Sequence, residues 1–222
     1  MDKVAIVTGA SRGIGLATAT ELVARRFKVV VSSTDAGDIA KVAAALGPNA
    51  VGVKCDVSKP RECGKMFDAA EEKFGGASFL VNNAGVGFYK PLADTGDLEL
   101  ERSIDVNVKG VLYCCREAAK RFGRGAIVNV SSFYGKTASR NTAVYSASKF
   151  AVMGAGKALS AELYPKVKVF TVCPGAIDTR MLREGFGFRG KALPPEKVGK
   201  VIADLLENWE TTDSGTVVDV LR

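Results

Sequence analysis

Short apolar runs alternate with amphipathic stretches along the whole chain. Seven of the runs are rich in β-branched residues and apolar at successive positions, as are strands buried on both faces of a parallel sheet. We predict strands over residues 4–8, 29–33, 50–55, 79–82, 126–131, 167–172 and 216–221. Apolar residues recur at helical spacing between them, and we predict helices over residues 13–26, 39–46, 60–74, 98–122, 144–164 and 195–208.

The alternation of strand and helix determines the predicted fold class. Short connections between the two kinds of element are typical of βαβ units, which place helices on both faces of one parallel sheet. No linker or repeat interrupts residues 1–222, and we expect a single α/β domain with a doubly wound, seven-stranded sheet. Residues 174–194 lack a clean period and follow a predicted strand, where a long insert often covers a ligand.

The composition is that of a folded domain. Of 222 residues, 47% are hydrophobic and 25% are charged, which excludes a disordered chain and allows a sizeable core. No apolar run approaches the roughly 18 residues of a membrane span, and the start has no signal-peptide pattern. Five scattered cysteines without a CxxC pair favour buried thiols in a reducing, cytoplasmic compartment.

The charge balance and the missing histidine narrow the chemistry. Lys and Arg number 31 against 24 Asp and Glu, a formal charge of +7. The basic residues stand in short groups between acids, which is typical of a solvated surface and argues against nucleic-acid binding. The chain has no histidine, which excludes Ser-His-Asp triads, HExxH zinc sites and a histidine base. We therefore expect no metal and a different proton donor.

A glycine-rich turn follows the first predicted strand, with the sequence TGASRGIG at residues 8–15. Gly9 permits a tight turn, Gly13 lets the backbone approach phosphates, and Gly15 allows close helix–strand packing. The helix that starts there presents free N–H groups and the positive end of its dipole to a pyrophosphate. Because the turn stands at the first βα junction, it indicates a dinucleotide site.

A tyrosine and a lysine offer acid–base chemistry in a chain without histidine. Tyr145 and Lys149 are four positions apart and share one face of a predicted helix. An ammonium near a phenol favours the phenolate, so we expect the pKa of Tyr145 to fall from about 10 toward neutrality. Ser132 follows a predicted strand, where open sheets bind ligands, and its hydroxyl suits the polarisation of a substrate carbonyl.

These motifs occur in a characteristic order. TGASRGIG is followed by NNAG at residues 82–85, Ser131-Ser132, YSASK at residues 145–149 and Pro174-Gly175. The ordered set, within residues 8 to 179, resembles the short-chain dehydrogenase/reductase family. The resemblance implies a Rossmann-type domain and an NAD(P)-dependent oxidoreductase that transfers a hydride between nicotinamide and a carbonyl or secondary alcohol.

The resemblance also implies roles for individual residues. Tyr145 would be the acid/base, and Lys149 would tune it and hold the nicotinamide ribose. Ser132 would polarise the carbonyl, Asn107 would hold a water for proton relay, and Asp56 would bond the adenine. The expected cofactor contacts are Gly9, Ser11, Arg12, Gly13, Ile14, Gly15, Ser32, Ser33, Asp56, Val57, Asn83, Ala84, Gly85, Tyr145, Lys149, Pro174, Gly175, Ile177 and Thr179.

The end of the second predicted strand bears on the choice between NADP and NAD. An acid there would bond the adenosine ribose and select NAD, but the chain has Ser32-Ser33 and no acid until Asp35. Arg12 in the glycine turn could reach a 2′-phosphate while the two serines donate hydrogen bonds. We therefore favour NADPH; the alternative is that Arg12 points to solvent and Asp35 binds the ribose.

Large apolar residues gather in the loops that follow the predicted strands. They would form a mouth for a small-molecule carbonyl or alcohol, or else satellite core: Phe88, Tyr89, Phe133, Tyr134, Met181, Leu182, Phe186 and Phe188. Family members pair through the helices corresponding to residues 98–122 and 144–164, which implies a homodimer or homotetramer, with Cys114 and Cys115 at the contact. We expect no membrane or nucleic-acid partner.

Two other functions stay open at this point. A 3-ketoacyl-carrier-protein reductase fits the same resemblance, and Lys120, Arg121 and Arg124 would then dock an acidic carrier. A nucleotide-sensing binding module would use the same fold without chemistry. Degenerate sensors lose the tyrosine or the lysine, and this chain keeps both, so the enzyme is favoured.

Overall fold

The computed structural model describes residues 3–221. Across that range one sheet is formed by β1 (Val4–Val7), β2 (Lys28–Ser33), β3 (Ala50–Lys54), β4 (Phe79–Asn82), β5 (Gly125–Val130), β6 (Val167–Pro174) and β7 (Val217–Val220). The strand order is β3-β2-β1-β4-β5-β6-β7, and every neighbouring pair is parallel. The predicted doubly wound α/β class is confirmed.

Helices cover both faces of this sheet: α1 (Gly13–Ala24), α2 (Ala36–Leu46), α3 (Pro60–Phe74), α4 (Asp97–Ile104), α5 (Gly110–Arg121), α6 (Ala143–Glu162) and α7 (Pro195–Glu207). Side chains alternate between the two faces along each strand. Val7 and Val31 therefore pack with α1, α2 and α7, whereas Ile6 and Val30 pack with α3, α5 and α6. The result is one apolar core on each side of the sheet.

The strand order reverses beside β1, which lies between β2 and β4. In open α/β sheets the ligand crevice forms at such a switch point, outside the carboxyl ends of the strands. The glycine turn leaves β1 at this place, and the NNAG segment leaves β4. The two predicted motifs are thus neighbours at the ligand-binding edge.

Two of the predicted helices differ from the structure by more than two residues. The helix predicted over residues 98–122 consists of α4 and α5 joined by a π-helical segment, Asp105–Lys109; an apolar period does not reveal such an insertion. The helix α2 begins at Ala36 instead of residue 39. It does so because the Asp35 carboxylate accepts a hydrogen bond of 2.8 Å from the Asp38 N–H and caps the helix.

The loop that joins β6 to α7 is held by its own hydrogen bonds. A short π-helical turn, Met181–Gly185, interrupts it. Arg183 Nε donates to Asp178 Oδ1 at 2.8 Å, and Arg183 Nη1 donates to the Phe188 carbonyl oxygen at 3.1 Å. The loop is therefore an ordered structure at the carboxyl edge of the sheet, not a featureless connection.

All five cysteines are free and buried, as the sequence predicts. Cys114 and Cys115 lie on the inner side of α5, in the core shared with α3 and α6. Their expected position at a subunit contact is wrong, because the helix turns them toward the sheet. Within residues 3–221, no helix combines the length and the apolar character needed to cross a membrane.

Candidate active site

The turn between β1 and α1 has the backbone geometry of a phosphate-binding loop. Gly9 (φ 63°) and Gly13 (φ 55°) have left-handed backbones, which favour glycine. A Cβ on Gly9 would lie 2.8 Å from the Cα of Ala84, and one on Gly13 would lie 3.2 Å from the Cγ2 of Thr179. Arg12 at the N-cap of α1 makes no side-chain capping bond, so the cap leaves the first N–H groups of the helix available to an anion.

Thr8, which sequence reasoning missed, joins this turn to the NNAG segment. Its Oγ1 accepts hydrogen bonds of 3.0 Å from the backbone N–H groups of Asn83 and Ala84. Asn83 returns two bonds through Nδ2, to the carbonyl oxygens of Thr8 at 2.8 Å and Gly9 at 3.0 Å. The signal in the sequence was a polar residue at the end of an apolar strand, a position that would be buried beside the turn.

Polar groups lie at the end of β2, where the contact with the adenosine ribose is predicted and which we call the ribose edge. The Ser32 hydroxyl is buried and has no hydrogen-bond partner among residues 3–221. The Ser33 hydroxyl donates to the Asp35 carbonyl oxygen at 2.8 Å. The Asp35 carboxylate is occupied as the cap of α2, and Arg12 is exposed in the adjacent turn. Arg12, not Asp35, thus presents an uncommitted charge at this edge.

The expected adenine contacts follow β3. The Asp56 carboxylate accepts hydrogen bonds through Oδ1 from the Ser58 N–H at 3.0 Å and the Ser58 hydroxyl at 2.7 Å. The Val57 side chain is buried and lies 2.7 Å, through Cγ2, from where a Cβ of Gly110 would stand. Asp56 is therefore a turn-forming acid whose second carboxylate oxygen makes no bond to residues 3–221 that would compete with a base.

The contacts expected after β6 also reach the glycine turn. The Gly175 N–H donates to the Val220 carbonyl oxygen at 3.0 Å, which fixes the point where the chain leaves the sheet after Pro174. Ile177 is 3% exposed, and the Thr179 hydroxyl donates to its carbonyl oxygen at 3.3 Å. Thr179 packs against Gly13 as described above, so the loop after β6 and the loop after β1 face one another.

The proposed acid–base pair lies in the first two turns of α6. Tyr145 is 8% exposed and Lys149 is 6% exposed. The Lys149 ammonium donates to the Val130 carbonyl oxygen at 3.0 Å and lies 5.8 Å from the centre of the Tyr145 ring. Ser132, which follows β5, hydrogen-bonds the phenol, and its Oγ accepts from the Tyr134 N–H at 3.1 Å. The spacing of four therefore places the two groups together, as predicted.

The expected effect of that pairing on the phenol is wrong. Burial raises the pKa of Tyr145 above its ordinary value, and the hydrogen bond with Ser132 only partly opposes this. Burial also lowers the pKa of Lys149 from 10.5 to about 8. The ammonium is turned toward a backbone carbonyl, so the cost of burying a charge exceeds the attraction between the two groups.

Asn107 connects α6 to Val86, the residue that follows the NNAG segment. It is fully buried in the π-helical segment. Its Oδ1 accepts from the Val86 N–H at 2.8 Å, and its Nδ2 donates to the Val86 carbonyl oxygen at 2.8 Å and to Ser148 Oγ at 3.0 Å. The Ser148 hydroxyl in turn donates to the Tyr145 carbonyl oxygen at 2.7 Å. Ser148, which the sequence did not single out, thus links Asn107 to the tyrosine.

These residues fit a nicotinamide dinucleotide. The glycine turn lacks the side chains that would block a pyrophosphate, and Gly85 lies beside Asn107 and Lys149, where a Cβ would stand 3.7 Å from the ammonium. Lys149 has three donors and gives one to Val130, which leaves capacity for a ribose. The glycine turn, the ribose edge and the acid–base pair lie along one carboxyl edge of the sheet.

Comparison with known proteins identifies the class. Residues 3–187 match the family model described as short chain dehydrogenase. A short-chain type dehydrogenase/reductase from Picea abies is 37% identical over 90% of this chain and 81% of that protein. A 3-oxoacyl-[acyl-carrier-protein] reductase from Bos taurus is 34% identical over 83% of this chain and 79% of its own length. A crystal structure of a 3-ketoacyl-(acyl-carrier-protein) reductase from Brucella melitensis, complexed with NADH, has a TM-score of 0.93 at 32% identity, covering 98% and 96% of the two chains.

The fold and the site define an oxidoreductase that binds a nicotinamide cofactor. The chain belongs to the short-chain dehydrogenase/reductase family. The family resemblance drawn from the ordered motifs is thereby confirmed.

Proposed function

We propose that this protein is an NADP-dependent reductase acting on a small carbonyl compound, with the secondary alcohol as its product. The observation that carries the proposal is the connected group of Ser132, Tyr145, Lys149 and Asn107 at the carboxyl edge of the sheet. This group can donate a proton to a carbonyl oxygen beside a dinucleotide-binding turn. A nucleotide sensor would not need a buried tyrosine with a hydroxyl partner.

Bound nicotinamide supplies the hydride. Tyr145 donates the proton: its pKa is raised by burial, so the phenol is protonated at neutral pH and is ready to act as an acid. Ser132, which bonds the phenol, offers a second hydroxyl to the negative charge that develops on the carbonyl oxygen. Lys149 is charged below about pH 8 and stabilises the phenolate left after proton transfer.

The preference for NADP rests on the charges at the end of β2. Asp35, the acid nearest to the expected ribose position, is committed to capping α2 through the Asp38 N–H. Arg12 is exposed at the N-cap of α1, where its guanidinium can pair with a 2′-phosphate. The Ser32 hydroxyl, which is buried and has no hydrogen-bond partner within residues 3–221, lies at the same strand end. An NAD enzyme would instead direct a carboxylate at the ribose hydroxyls.

Calorimetric titration with NADPH and with NADH tests this preference. We expect wild type to bind NADPH at least tenfold more tightly, and Arg12→Ala to lose about 10- to 100-fold of NADPH affinity while NADH affinity stays nearly constant. Arg102→Ala, on the exposed surface of α4, is the matched control. Tighter binding of NADH would overturn the phosphate site and turn attention to Asp35. If the folded protein bound neither nucleotide, the proposed enzymatic function would be refuted.

A second candidate, a 3-ketoacyl-carrier-protein reductase, is favoured by the names of the bovine and Brucella relatives. The expected docking residues do not support it. Arg124 precedes β5 whereas Ser132 follows it, and the eight residue steps from one to the other span about 26 Å at roughly 3.3 Å per residue. The three cations are paired in place, with these partners: Lys120 with Glu117, Arg121 with Asp68 and Glu117, and Arg124 with Glu210.

Turnover of an acetoacetyl thioester separates the two functions. The same acyl group is offered on an acidic carrier protein and on N-acetylcysteamine. A plain carbonyl reductase should show kcat/KM values within a few-fold of each other, since nothing recognises the carrier. A preference of a hundredfold or more for the carrier would instead favour the second candidate.

A further inference from the structure

Aromatic rings form a continuous row across the acid–base tyrosine. Tyr89 lies 5.7 Å from Phe186, ring centre to ring centre, and Phe186 lies 5.0 Å from Tyr145 at an interplanar angle of 78°. On the other side of Tyr145, the Tyr134 ring stands 6.4 Å away at 86°, and Phe133 lies 6.2 Å beyond it. The two edge-to-face contacts, both made by Tyr145, are attractive beyond the burial of area. The row therefore makes an environment suited to rings around the proton donor.

The Phe186 ring occupies a narrow space, the ring slot, bounded by Gly87, Tyr89 and Tyr145. A Cβ on Gly87 would stand 2.6 Å from Phe186 Cε2 and 3.3 Å from Met181 Sδ. Glycine is thus what gives the slot its width, and the ring that fills it lies directly against backbone. A slot of this thickness accepts a flat group in preference to a puckered one.

The backbone on either side of Phe186 is irregular. Phe186 follows the π-helical turn Met181–Gly185 and precedes Gly187, which has a φ of +61°; in the part of the chain that the structure describes, no atom lies within 4 Å of where a Cβ on Gly187 would stand. Phe186 is itself half-buried. Because its ring covers Tyr145, it has to leave the slot before a carbonyl can reach the phenol, and an incoming group takes over its contacts.

The two arginines in and beside the π-helical turn are paired with acids. Arg183 pairs with Asp178 at 2.8 Å, and Arg180 pairs with Glu184 at 2.6 Å. Neither arginine is free to bind an anionic substrate next to the slot. The residues that bound the slot, Gly87, Tyr89 and Tyr145, carry no charge, so the slot favours an uncharged aromatic group.

We propose that the substrate is an uncharged carbonyl compound bearing a flat aromatic ring, which replaces the Phe186 ring in the ring slot. The proposal rests on the reductase function proposed above. A substrate ring in the slot takes over the contacts of the Phe186 ring with Tyr145 and Tyr89, so the aromatic contacts that are lost when Phe186 leaves are regained. Each such contact is worth about two- to tenfold in affinity, which a saturated ring of equal size does not recover.

Phenylacetone and cyclohexylacetone provide a matched test, because they have equal numbers of heavy atoms and an unconjugated carbonyl of similar reactivity. We expect kcat/KM for phenylacetone to exceed that for cyclohexylacetone by at least fivefold. Saturation-transfer NMR with nucleotide-free protein should show the stronger transfer to the phenyl ring. Equal or inverted kcat/KM values, or equal transfer to both rings, would overturn the proposal.

Two variants place the effect in the slot. The backbone of Gly87 does not have a positive φ, and the atoms nearest to an added Cβ belong to the side chains of Phe186 and Met181, so Gly87→Ala should fold. We expect the variant to reduce the ratio of the two kcat/KM values to about one. Gly154→Ala, where a Cβ meets no atom within 4 Å, is the control and should keep the preference. Tyr89→Leu, which removes one ring from the slot, should reduce the phenyl preference at least twofold. If Gly87→Ala kept the full preference for phenylacetone, the substrate ring would not bind in the ring slot and the proposal would be wrong.

The NMR arm separates this proposal from the function on which it rests. If neither ketone is reduced but the phenyl compound binds selectively in wild type and not in Gly87→Ala, the reductase function fails and the ring slot stands. If both ketones are reduced at equal rates, the reductase stands and the ring slot fails.

Discussion

Lys149 is the buried residue whose protonation governs the site. Its side chain is 6% exposed, and burial lowers its pKa from 10.5 to about 8. In the unfolded chain the group titrates near its ordinary value. Between about pH 8 and 10.5 the unfolded state therefore binds more protons than the folded state, and the free energy of unfolding rises with pH across this window.

A comparison of wild type with Lys149→Met isolates that effect from other titrations. As the pH rises from 8 to 10.5, we expect the nucleotide-free wild type to gain about 3 kcal/mol in free energy of unfolding relative to the variant. Denaturant unfolding at a series of pH values measures the difference. Parallel curves for the two proteins would mean that the lysine is not desolvated as described.

Tyr145→Phe removes the proposed proton donor and leaves the ring. We expect NADPH affinity to stay within a few-fold of wild type, while kcat for carbonyl reduction falls by about 10²- to 10⁴-fold. Tyr134→Phe is the matched control, since that hydroxyl is bonded by Ser139 at 3.1 Å and is given no role in proton transfer. Near-normal turnover of Tyr145→Phe would refute the mechanism.

The identities of these residues could be predicted from sequence, but their protonation could not. A spacing of four predicts a shared helix face, and it holds for Tyr145 and Lys149. The pKa of each depends on burial and on a carbonyl, that of Val130, which the fold brings from 19 positions away. Local spacing contains no information on either, and the expected lowering of the phenol pKa failed for that reason.

At the scale of elements, Thr8 couples β1 to the segment that follows β4. Thr8→Val keeps the shape and removes the acceptor for the Asn83 and Ala84 N–H groups. The Asn83 N–H keeps a second acceptor, the Val81 carbonyl oxygen at 3.1 Å, whereas the Ala84 N–H loses its acceptor. One partly buried unpaired donor costs about 1–3 kcal/mol, so we expect a loss of about 1–3 kcal/mol in stability and weaker nucleotide binding. Denaturant unfolding and calorimetry measure the two effects.

Thr20→Val serves as its control, because Thr20 is exposed on α1 and the substitution alters only a solvated hydroxyl. If the loss in Thr8→Val comes from the broken coupling of β1 to the NNAG segment, the control Thr20→Val should bind the nucleotide with unchanged affinity. Equal losses in both variants would mean that the valine side chain, not the missing acceptor, causes the effect.

The strands were predictable because each is a short, continuous apolar run, a local property. The interruption of the helix predicted over residues 98–122 was not. Asn107 holds the π-helical segment through bonds to Val86 and Ser148, which lie 21 and 41 positions away. The distortion therefore follows from tertiary partners that the period of apolar residues does not contain.

For the molecule as a whole, the outer surfaces of the helices remain apolar in places. Leu98 at the start of α4 is 80% exposed, Leu112 on α5 is 42% exposed and Phe150 on α6 is 46% exposed. Exposed apolar residues that cluster on neighbouring elements mark protein–protein contacts, and α4 and α6 touch. We propose that these helices form the two-fold interface of a homodimer, which a second pair of contacts extends to a tetramer.

Light scattering after gel filtration tests this arrangement. We expect twice or four times the mass of one chain for wild type, and the mass of one chain for the double variant Leu112→Glu with Phe150→Glu, since a two-fold axis repeats each buried charge on both subunits. Leu92→Glu, at a residue 59% exposed outside these helices, should retain the wild-type mass. A monomeric wild type at micromolar concentration would contradict the interface. Because Tyr145 and Lys149 lie on the same helix as Phe150, a monomeric variant should also show a higher rate of hydrogen exchange in the first turns of α6.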